Sequence, residues 1–580
     1  MSGAQPLPIA AVREELCTAL QSHGAAILTA PTGSGKSTQV PQFLAELFPG
    51  RILVLQPRRL AARMLAERVS QECGSPLGGF VGFQTRYERL FSAKTRILFL
   101  TEGILTRMLL DGSPLSDVSC IVFDEFHERS LNTDLGLAMA REQLRRSGSK
   151  TRIVVMSATM EAGPVSKYLD DAPIVRGTGR THPVDISYCD QKTKLLGPMQ
   201  AAAATLRDCL ASRAEGDFLV FMPGGYEIRK TIECCSRTAY PEPLEFLPLY
   251  GDLPPSEQRR VMEPASRRKI IVATNIAETS LTIPGVRHVI DSGLARVSHF
   301  DAARGIDALE TEGIARDAAE QRAGRAGREA PGTCRRLWTW LEHSAKPSRT
   351  PPEILRVDLA EAVLAVHAFG FRNPDDFPWF ETPPPKMVAG AEQLLRSLGF
   401  LDHDGDLTGL GRRLAAVPAH PRLALLLRLG SENGCFEETA WAAALLAERP
   451  LITGGTSSRA ENTARRQLAG RAAKNNALPA SDFVAQTEAA QTAEKANFAP
   501  ELCARLGIHA GAARDVARAA RNFRDMARKL RWGDTSTHDR AKSFLQCVLR
   551  AFPDRLARRV DSGSLDCLLS DGRRADWTRA

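Results

Sequence analysis

The chain has 580 residues, 43% hydrophobic and 25% charged, with a formal net charge of +9 at pH 7. That length exceeds one hydrophobic core and predicts roughly three to five domains. No apolar run reaches the roughly 18 residues of a membrane span, and the start MSGAQPLPIAAVREEL lacks a basic region followed by an apolar core. The 12 cysteines are scattered without a CxxC pair. The expectation is a cytoplasmic protein with reduced thiols and with neither a disulfide framework nor a zinc site.

From residue 20 to about 160, the apolar runs AAILTA, RILVLQ, TRILFL, CIVFDE and RIVVMS alternate with amphipathic stretches such as RRLAARMLAERV. Each run is predicted as a buried strand, and the alternation predicts a parallel sheet with helices on both faces. The pattern returns after residue 215 with DFLVFM, LEFLPLY, RKIIVAT and RHVIDSG. Two tandem α/β domains follow, over 1–178 and 179–347, joined near GTGRTHP. Proline-rich PSRTPPE at 347–353 marks the next boundary. Beyond it the chain is Ala/Leu/Arg-rich and mostly helical, with FPWFETPPPK at 377–386 as a stiff connector.

APTGSGKST (30–38) follows the first strand and opens a helix. Gly33 and Gly35 let the backbone curl so that its N–H groups and the helix N-terminus face an anion. Lys36 would neutralise the β- and γ-phosphates, and the Ser37 hydroxyl would ligate Mg²⁺. Thr32, Ser34 and Thr38 complete the loop. CIVFDEFHERS then places Asp124 and Glu125 at the carboxyl end of a strand, where ligands of such sheets bind. Asp124 suits Mg²⁺ held through water, and Glu125 suits orienting and deprotonating the attacking water. In QRAGRAGR (321–328), Arg325 and Arg328 are spaced by three and would project from one face of a helix. There they would neutralise charge spreading over the γ-phosphate, with Gln321 holding the water. Glycines among those arginines predict close approach of backbone to a ligand or a neighbouring domain.

With APTGSGKST, QPRRLAAR, TEGIL, DEFH, SAT, FMPG, ATNIAETSLTIPG and QRAGRAGR in that order, the chain resembles a superfamily 2 helicase of the DEAH-box type. Phe126 in DEFHERS makes it most similar to the HrpB branch. The resemblance implies two RecA-like domains, a winged-helix module over 348–411 and a helical, ratchet-like domain over 412–550. Residues 551–580 would be a tail or the start of a further, truncated domain. It also implies ATP with other NTPs accepted, Mg²⁺, and 3′ to 5′ movement on single-stranded RNA, with DNA left open. A monomer is expected, with no membrane partner and with an activating protein partner as an open alternative.

Carried over by motif, His127 joins the catalytic set. Arg58, Arg59, Thr101, Thr274, Asn275 and Thr279 would touch the nucleic-acid backbone. Ser157 and Thr159 would link the nucleotide to the strand. The base would lie between Arg68 and Met262, with Asp291 in the nucleotide-binding set. The stretch 292–313 sits where the family carries a β-hairpin; by its own residues, a hairpin and an ordinary sheet edge fit equally. Residues 501–580 hold 17 Lys+Arg against 10 Asp+Glu, a net +7. That excess suits a polyanion and a solvated helical surface about equally. Two rival functions stand beside the helicase: a remodelling ATPase without processive unwinding, and a non-catalytic RNA-binding scaffold.

Overall fold

The computed structural model describes residues 7–31, 33–85, 88–111, 115–158, 162–179, 182–211, 215–251, 253–278, 283–301, 306–448, 450–452, 482–533, 539–561, 563, 566–570, 572 and 574–576. Thr32, Thr159 and Thr279, expected at the nucleotide, the coupling motif and the strand, lie outside these residues.

Every apolar run of the first segment is a strand. β1 (Ala25–Thr29), β2 (Arg51–Gln56), β3 (Val81–Gln84), β4 (Arg89–Leu90), β5 (Ile97–Thr101), β6 (Val118–Phe123), β7 (Arg152–Ser157) and β8 (Ile174–Arg176) form one sheet in the order β4-β3-β5-β2-β6-β7-β1-β8. Only short β4 runs antiparallel to its neighbour β3, at the edge. The strands are buried nearly end to end, as in β2, where five consecutive residues from Ile52 are covered. Such strands need helices on both faces. Register fixes what the sheet presents: Thr29 pairs with Ser157, Gln56 with Thr101 and Leu55 with Phe123. The carboxyl ends of β1, β2, β5, β6 and β7 therefore share one edge, and the P-loop, QPRR, TEG, DEFH and SAT segments leave from it side by side.

A second sheet comprises β9 (Val184–Tyr188), β10 (Asp217–Phe221), β11 (Leu244–Leu249), β12 (Arg268–Ala273), β13 (Val286–Asp291) and β16 (Gly332–Arg336), ordered β11-β12-β10-β13-β16-β9 and parallel throughout. Between β13 and β16, the segment left open by its sequence is a hairpin. β14 (Leu294–Asp301) pairs antiparallel with β15 (Ile306–Gly313) as a separate two-stranded sheet. Its base packs on Ala318, Ala319 and Trp338 through Ala295 and Val297. Gly293 makes the turn into it at φ +73°, where a Cβ would lie 2.6 Å from the Trp338 ring.

The chain divides into two compact units, the first Met1–Ala362 with Phe377–Pro385 and the second Val363–Asp376 with Lys386–Ala580. Compactness does not break at the proline-rich 347–353. Glu353 donates its N–H to the Arg129 carbonyl, and its carboxylate accepts the Leu131 N–H at 3.0 Å, stitching this stretch to the first sheet's domain. The second unit is chiefly helical. Helices Pro385–Ser397 and Gly409–Ala415 flank an antiparallel bridge between Leu401 and Leu407, a small winged-helix module. Helices Pro421–Glu432, Phe436–Ala447, Asp482–Lys495, Ala510–Lys529 and Arg540–Ala551 follow. Helix Ala510–Lys529 buries Ala512, Ala513, Val516, Ala517, Ala520 and Phe523, and turns its arginines outward. Several of those are held internally, Arg524 on Glu437 at 2.6 Å and Arg518 on Asp515 at 2.7 Å. The last stretch holds a three-stranded antiparallel sheet, β17 (Ala557–Arg559), β18 (Asp566–Leu569) and β19 (Arg574–Asp576). No described helix is long and apolar enough to cross a membrane.

Candidate active site

The P-loop turns on two left-handed glycines, Gly33 at φ +85° and Gly35 at φ +93°, the second capping helix Lys36–Leu47. Gly35 also has no room for a side chain, since a Cβ there would lie 2.7 Å from Leu7 Cδ1. Ala30 donates its N–H to the Ser157 carbonyl, tying the loop to SAT. Thr38 donates its hydroxyl back to the Gly35 carbonyl at 3.3 Å.

Lys36, only 4% exposed, lies 3.7 Å from the Glu125 carboxylate. Asp124 and Glu125 are equally buried. Gln56, at the end of β2, donates to Asp124 Oδ2 at 2.6 Å, and the Glu125 N–H donates to Asp124 Oδ1 at 2.9 Å. Burial, and then neighbouring Glu125, push the Asp124 carboxyl above its ordinary range, against Lys36 and the Ser37 and Gln56 hydrogen bonds. Glu125 moves the other way. Burial acts to raise it, but Lys36, His127, Arg325 and Arg328 together hold it below the usual carboxylate value. His127 Nδ1 stands 3.6 Å from the same oxygen. Glu125 is therefore an ionised base among cations, in a low-dielectric place where such charges act strongly.

Arg325 and Arg328 come from the second sheet's domain, but not from a helix. Helix Arg316–Ala323 ends before them; Arg325 leaves the turn that follows and Arg328 the bend after it. Of the two glycines beside them, Gly327 has its reason in close packing. A Cβ there would lie 2.5 Å from the His182 carbonyl oxygen and 2.8 Å from Val184 Cγ2, both within its own domain. Arg325, 3% exposed, donates to the Glu278 carbonyl at 2.8 Å through Nε. Burial, and then Arg328 nearby, depress its pKa well below the ordinary value, opposed by Glu125 and Glu278. Guanidinium groups stay protonated in proteins, so Arg325 is a buried cation beside a second one, a setting that favours an added anion.

These residues fit a triphosphate and its cation. Buried Lys36 and Arg325, with half-buried Arg328, place three positive groups around two carboxylates. Ser34 Oγ, His127 Nδ1 and Nε2 and Glu125 Oε2 are buried with no hydrogen-bond partner among the described residues. Ser37 with Asp124 offers two hard oxygen ligands, and Mg²⁺ typically takes few protein ligands and completes its shell with phosphates and water. No cluster of three or more His, Cys, Asp or Glu among the described residues would hold a metal alone.

The base and strand residues are placed less uniformly. Arg68 is largely exposed and ion-paired with Glu72 at 2.7 Å. Met262 is half-buried against the second domain's core, which also receives Leu60 and Met64 from helix Arg59–Glu72, the helix that carries Arg68. Asp291 ends β13 behind the surface of its domain. It is 0% exposed, accepting from Arg322 at 2.9 Å and from the Gly293 N–H. Its Oδ1 is thus engaged within its own domain, while Oδ2 has no hydrogen-bond partner among the described residues. Arg58, half-buried, donates to the Asn275 carbonyl and pairs with Glu128 at 3.2 Å, so two expected strand contacts meet each other across the two sheets. Arg59 and Asn275 are exposed, while Thr101 and Thr274 are half-buried; Thr274 caps the turn Asn275–Ala277. Ser157 is fully buried.

Sequence reasoning missed Gln56, Arg322 and Glu278. Arg322 is 1% exposed and holds Glu278 at 2.8 Å, Asp291 at 2.9 Å and the Leu294 carbonyl at 3.1 Å, joining the ATNIAETS segment, β13 and the hairpin base. One signal was available. An acid that ends a buried strand after apolar residues, as Asp291 does after Val289 and Ile290, demands a buried partner.

Residues 11–167 match the model of the DEAD/DEAH box helicase family, 201–330 that of the helicase conserved C-terminal domain, and 391–418 that of the helicase-associated winged-helix domain HA2. The chain is 36% identical over 461 residues to the ATP-dependent RNA helicase HrpA of Escherichia coli K12, covering 77% of this chain and 35% of that one. It is 38% identical over 462 residues to mouse ATP-dependent RNA helicase DHX33, covering 76% of this chain and 65% of that one. The chain thus spans about a third of the HrpA length and under two thirds of DHX33. The crystal structure of the Escherichia coli DEAH/RHA helicase HrpB superposes with a TM-score of 0.77 at 32% identity, covering 99% of this chain and 67% of that one.

Proposed function

This chain belongs to the DEAH-box helicase family, related to HrpB, and we propose that it hydrolyses NTPs to drive 3′ to 5′ movement along single-stranded RNA. One observation carries the reading: Lys36 and Glu125 of the first sheet's domain are buried within the field of Arg325 and Arg328 of the second.

In this mechanism Lys36 and the amides at the start of its helix bind the phosphates of ATP. Ser37 and Asp124 would hold Mg²⁺, which neutralises charge on the β- and γ-oxygens when bound. Glu125, ionised by its cationic neighbours, takes the proton of the attacking water, with Gln321 orienting that water. Arg325 and Arg328 stabilise charge on the γ-phosphoryl group as it transfers. Loss of the γ-phosphate removes the anion shared by Lys36 and the two arginines, and the cleft between the domains relaxes. Arg58 and Asn275, already bonded across that cleft, would pass the change to the strand contacts.

RNA is favoured as the track because the relatives HrpA and DHX33 are RNA helicases by name. Contacts to phosphate and sugar carry no sequence information, so selection of a cellular RNA would fall to other surfaces or a protein partner. Residues 348–411 serve in this reading as the winged-helix module and 412–550 as a ratchet-like domain lining the track. Strand displacement on RNA duplexes carrying a 3′ or a 5′ single-stranded tail tests the direction. Displacement from the 3′-tailed duplex alone is expected. Displacement from the 5′-tailed duplex alone would reverse the assignment, and hydrolysis with no displacement from either would favour a remodelling ATPase.

A further inference from the structure

Neither Phe126, the large side chain inside DEFH, nor the connector Phe377–Pro385 takes part in the chemistry of hydrolysis. The two meet. Phe126 is fully buried, and the Phe380 ring stands edge-on to it with centroids 5.4 Å apart. Tyr168 meets Phe380 at 5.1 Å, also edge-on, and donates its hydroxyl to the Pro378 carbonyl. Arg129 completes the group. Its guanidinium lies 4.5 Å from the Phe380 centroid, and its Nη2 pairs with Glu381 at 3.1 Å and with Asp134 at 2.8 Å. Offset aromatic pairs and an arginine over a ring are each favourable beyond simple burial, and here they converge on one turn.

That turn carries the water-activating carboxylate. Phe126–Glu128 is a single 3₁₀ turn bracketed by Glu125 at φ 52° and Arg129 at φ 49°, two side-chain-bearing residues in the left-handed region. Such residues hold this conformation only where the surroundings over-determine it. At the first bracket the constraint comes from within the site, where Glu125 faces Lys36 and His127. At the second it comes from Asp134 of the same domain and, from 252 residues further along the chain, Glu381. Phe126, between the brackets, is held by the Phe380 ring.

We propose that Phe380 and Glu381 are positioning residues that clip the DEFH turn and hold Glu125 in the backbone conformation that aims its carboxylate into the site. This rests on the reading of Glu125 as the group that activates water. A misplacement of about 1 Å costs a reacting group roughly a hundredfold in rate, whereas the phosphate contacts of Lys36 do not depend on the turn. The clip therefore governs turnover rather than nucleotide binding.

The test measures kcat for ATP with saturating single-stranded RNA, and Kd for a fluorescent ATP analogue, on the 580-residue chain carrying Phe380→Ala, Phe380→Tyr, Glu381→Gln or Glu125→Gln. Phe380→Ala is expected to lower kcat at least about tenfold, and isosteric Glu381→Gln by a few fold, with Kd changing less than about twofold. Phe380→Tyr, which keeps the ring, is expected to restore turnover. Glu125→Gln is expected to be inactive. Parental kcat in both Phe380→Ala and Glu381→Gln, beside an inactive Glu125→Gln, would overturn the clip alone. Parallel losses of kcat and analogue binding in Glu381→Gln would also overturn it, because they report a general disturbance. An active Glu125→Gln would overturn the reading of Glu125 and the clip with it.

Discussion

In the proposed site the base would lie between Arg68 and Met262, a pair that asks little of its identity. The first is an exposed arginine leaning on Glu72, the second a half-buried thioether at the rim of the second domain's core. A guanidinium over a ring and a sulfur against it are attracted to any base, and strong discrimination needs hydrogen bonds to the base edge. ATP, GTP, CTP and UTP are expected to be hydrolysed with kcat/KM values within roughly tenfold of each other, a spread of about 1.4 kcal/mol. Rates for all four under saturating RNA check this, and a hundredfold preference for ATP would mean that an edge-reading residue exists. Glu102, in TEG, gives a residue-scale prediction of another kind. Burial pushes its carboxyl up to about 7, against the Ser130 and Thr133 hydroxyls that donate to it. A carboxyl with a folded pKa above its unfolded value binds its proton more tightly when folded. The stability it contributes is full below the unfolded pKa and is lost as pH rises through about 7. Glu102→Gln, uncharged throughout, should therefore gain in Tm relative to the parent chain between about pH 5 and pH 8. A difference independent of pH would contradict the buried-acid assignment.

At the scale of elements, the strands were legible because parallel strands covered on both faces read as continuous apolar runs, as RILVLQ and CIVFDE do. The P-loop and DEFH were legible because their chemistry needs particular residues at strand ends. QRAGRAGR was legible only in part. Spacing by three suggested one helix face for Arg325 and Arg328, but the helix stops at Ala323 and a turn and the bend after it deliver them. Gly327 was traced to a ligand or a neighbouring domain, and its own domain's His182 and Val184 are the reason for it. Asp291 was assigned to the nucleotide, but its pairing with Arg322 was not foreseen. The partner of a buried charge is a long-range fact that no local pattern encodes. The same holds for the connector, whose stiffness was readable but whose landing on Phe126 was not. Arg322→Ala would leave Asp291 and Glu278 without their shared cation, and breaking such buried pairs costs about 3–5 kcal/mol. Denaturant unfolding should report a loss of that order, whereas a change under about 1 kcal/mol, typical of an exposed pair, would show that the triad is not structural.

At the scale of the whole molecule, two sheets lie within one compact unit, and the residues around Glu125 come from both. Neither domain alone holds the full set of charges. Residues 1–178 by themselves, lacking Arg325 and Arg328, should bind ATP yet hydrolyse it feebly. Arg328→Ala in the full chain should lose up to roughly 10³ to 10⁵ in rate, with ATP affinity falling much less. Full activity from that fragment would show that the site is not shared. The net charge of the basic C-terminal stretch overstates what is left for phosphates, because part of its excess is spent on acids outside it such as Glu437 and Glu494. The most direct test of an RNA-coupled motor is the steady-state rate of ATP hydrolysis by the full chain with and without saturating single-stranded RNA. The rate should rise severalfold with RNA and fall back as salt is raised from about 50 to 200 mM, as phosphate-bound cations require; one rate in all conditions would contradict it.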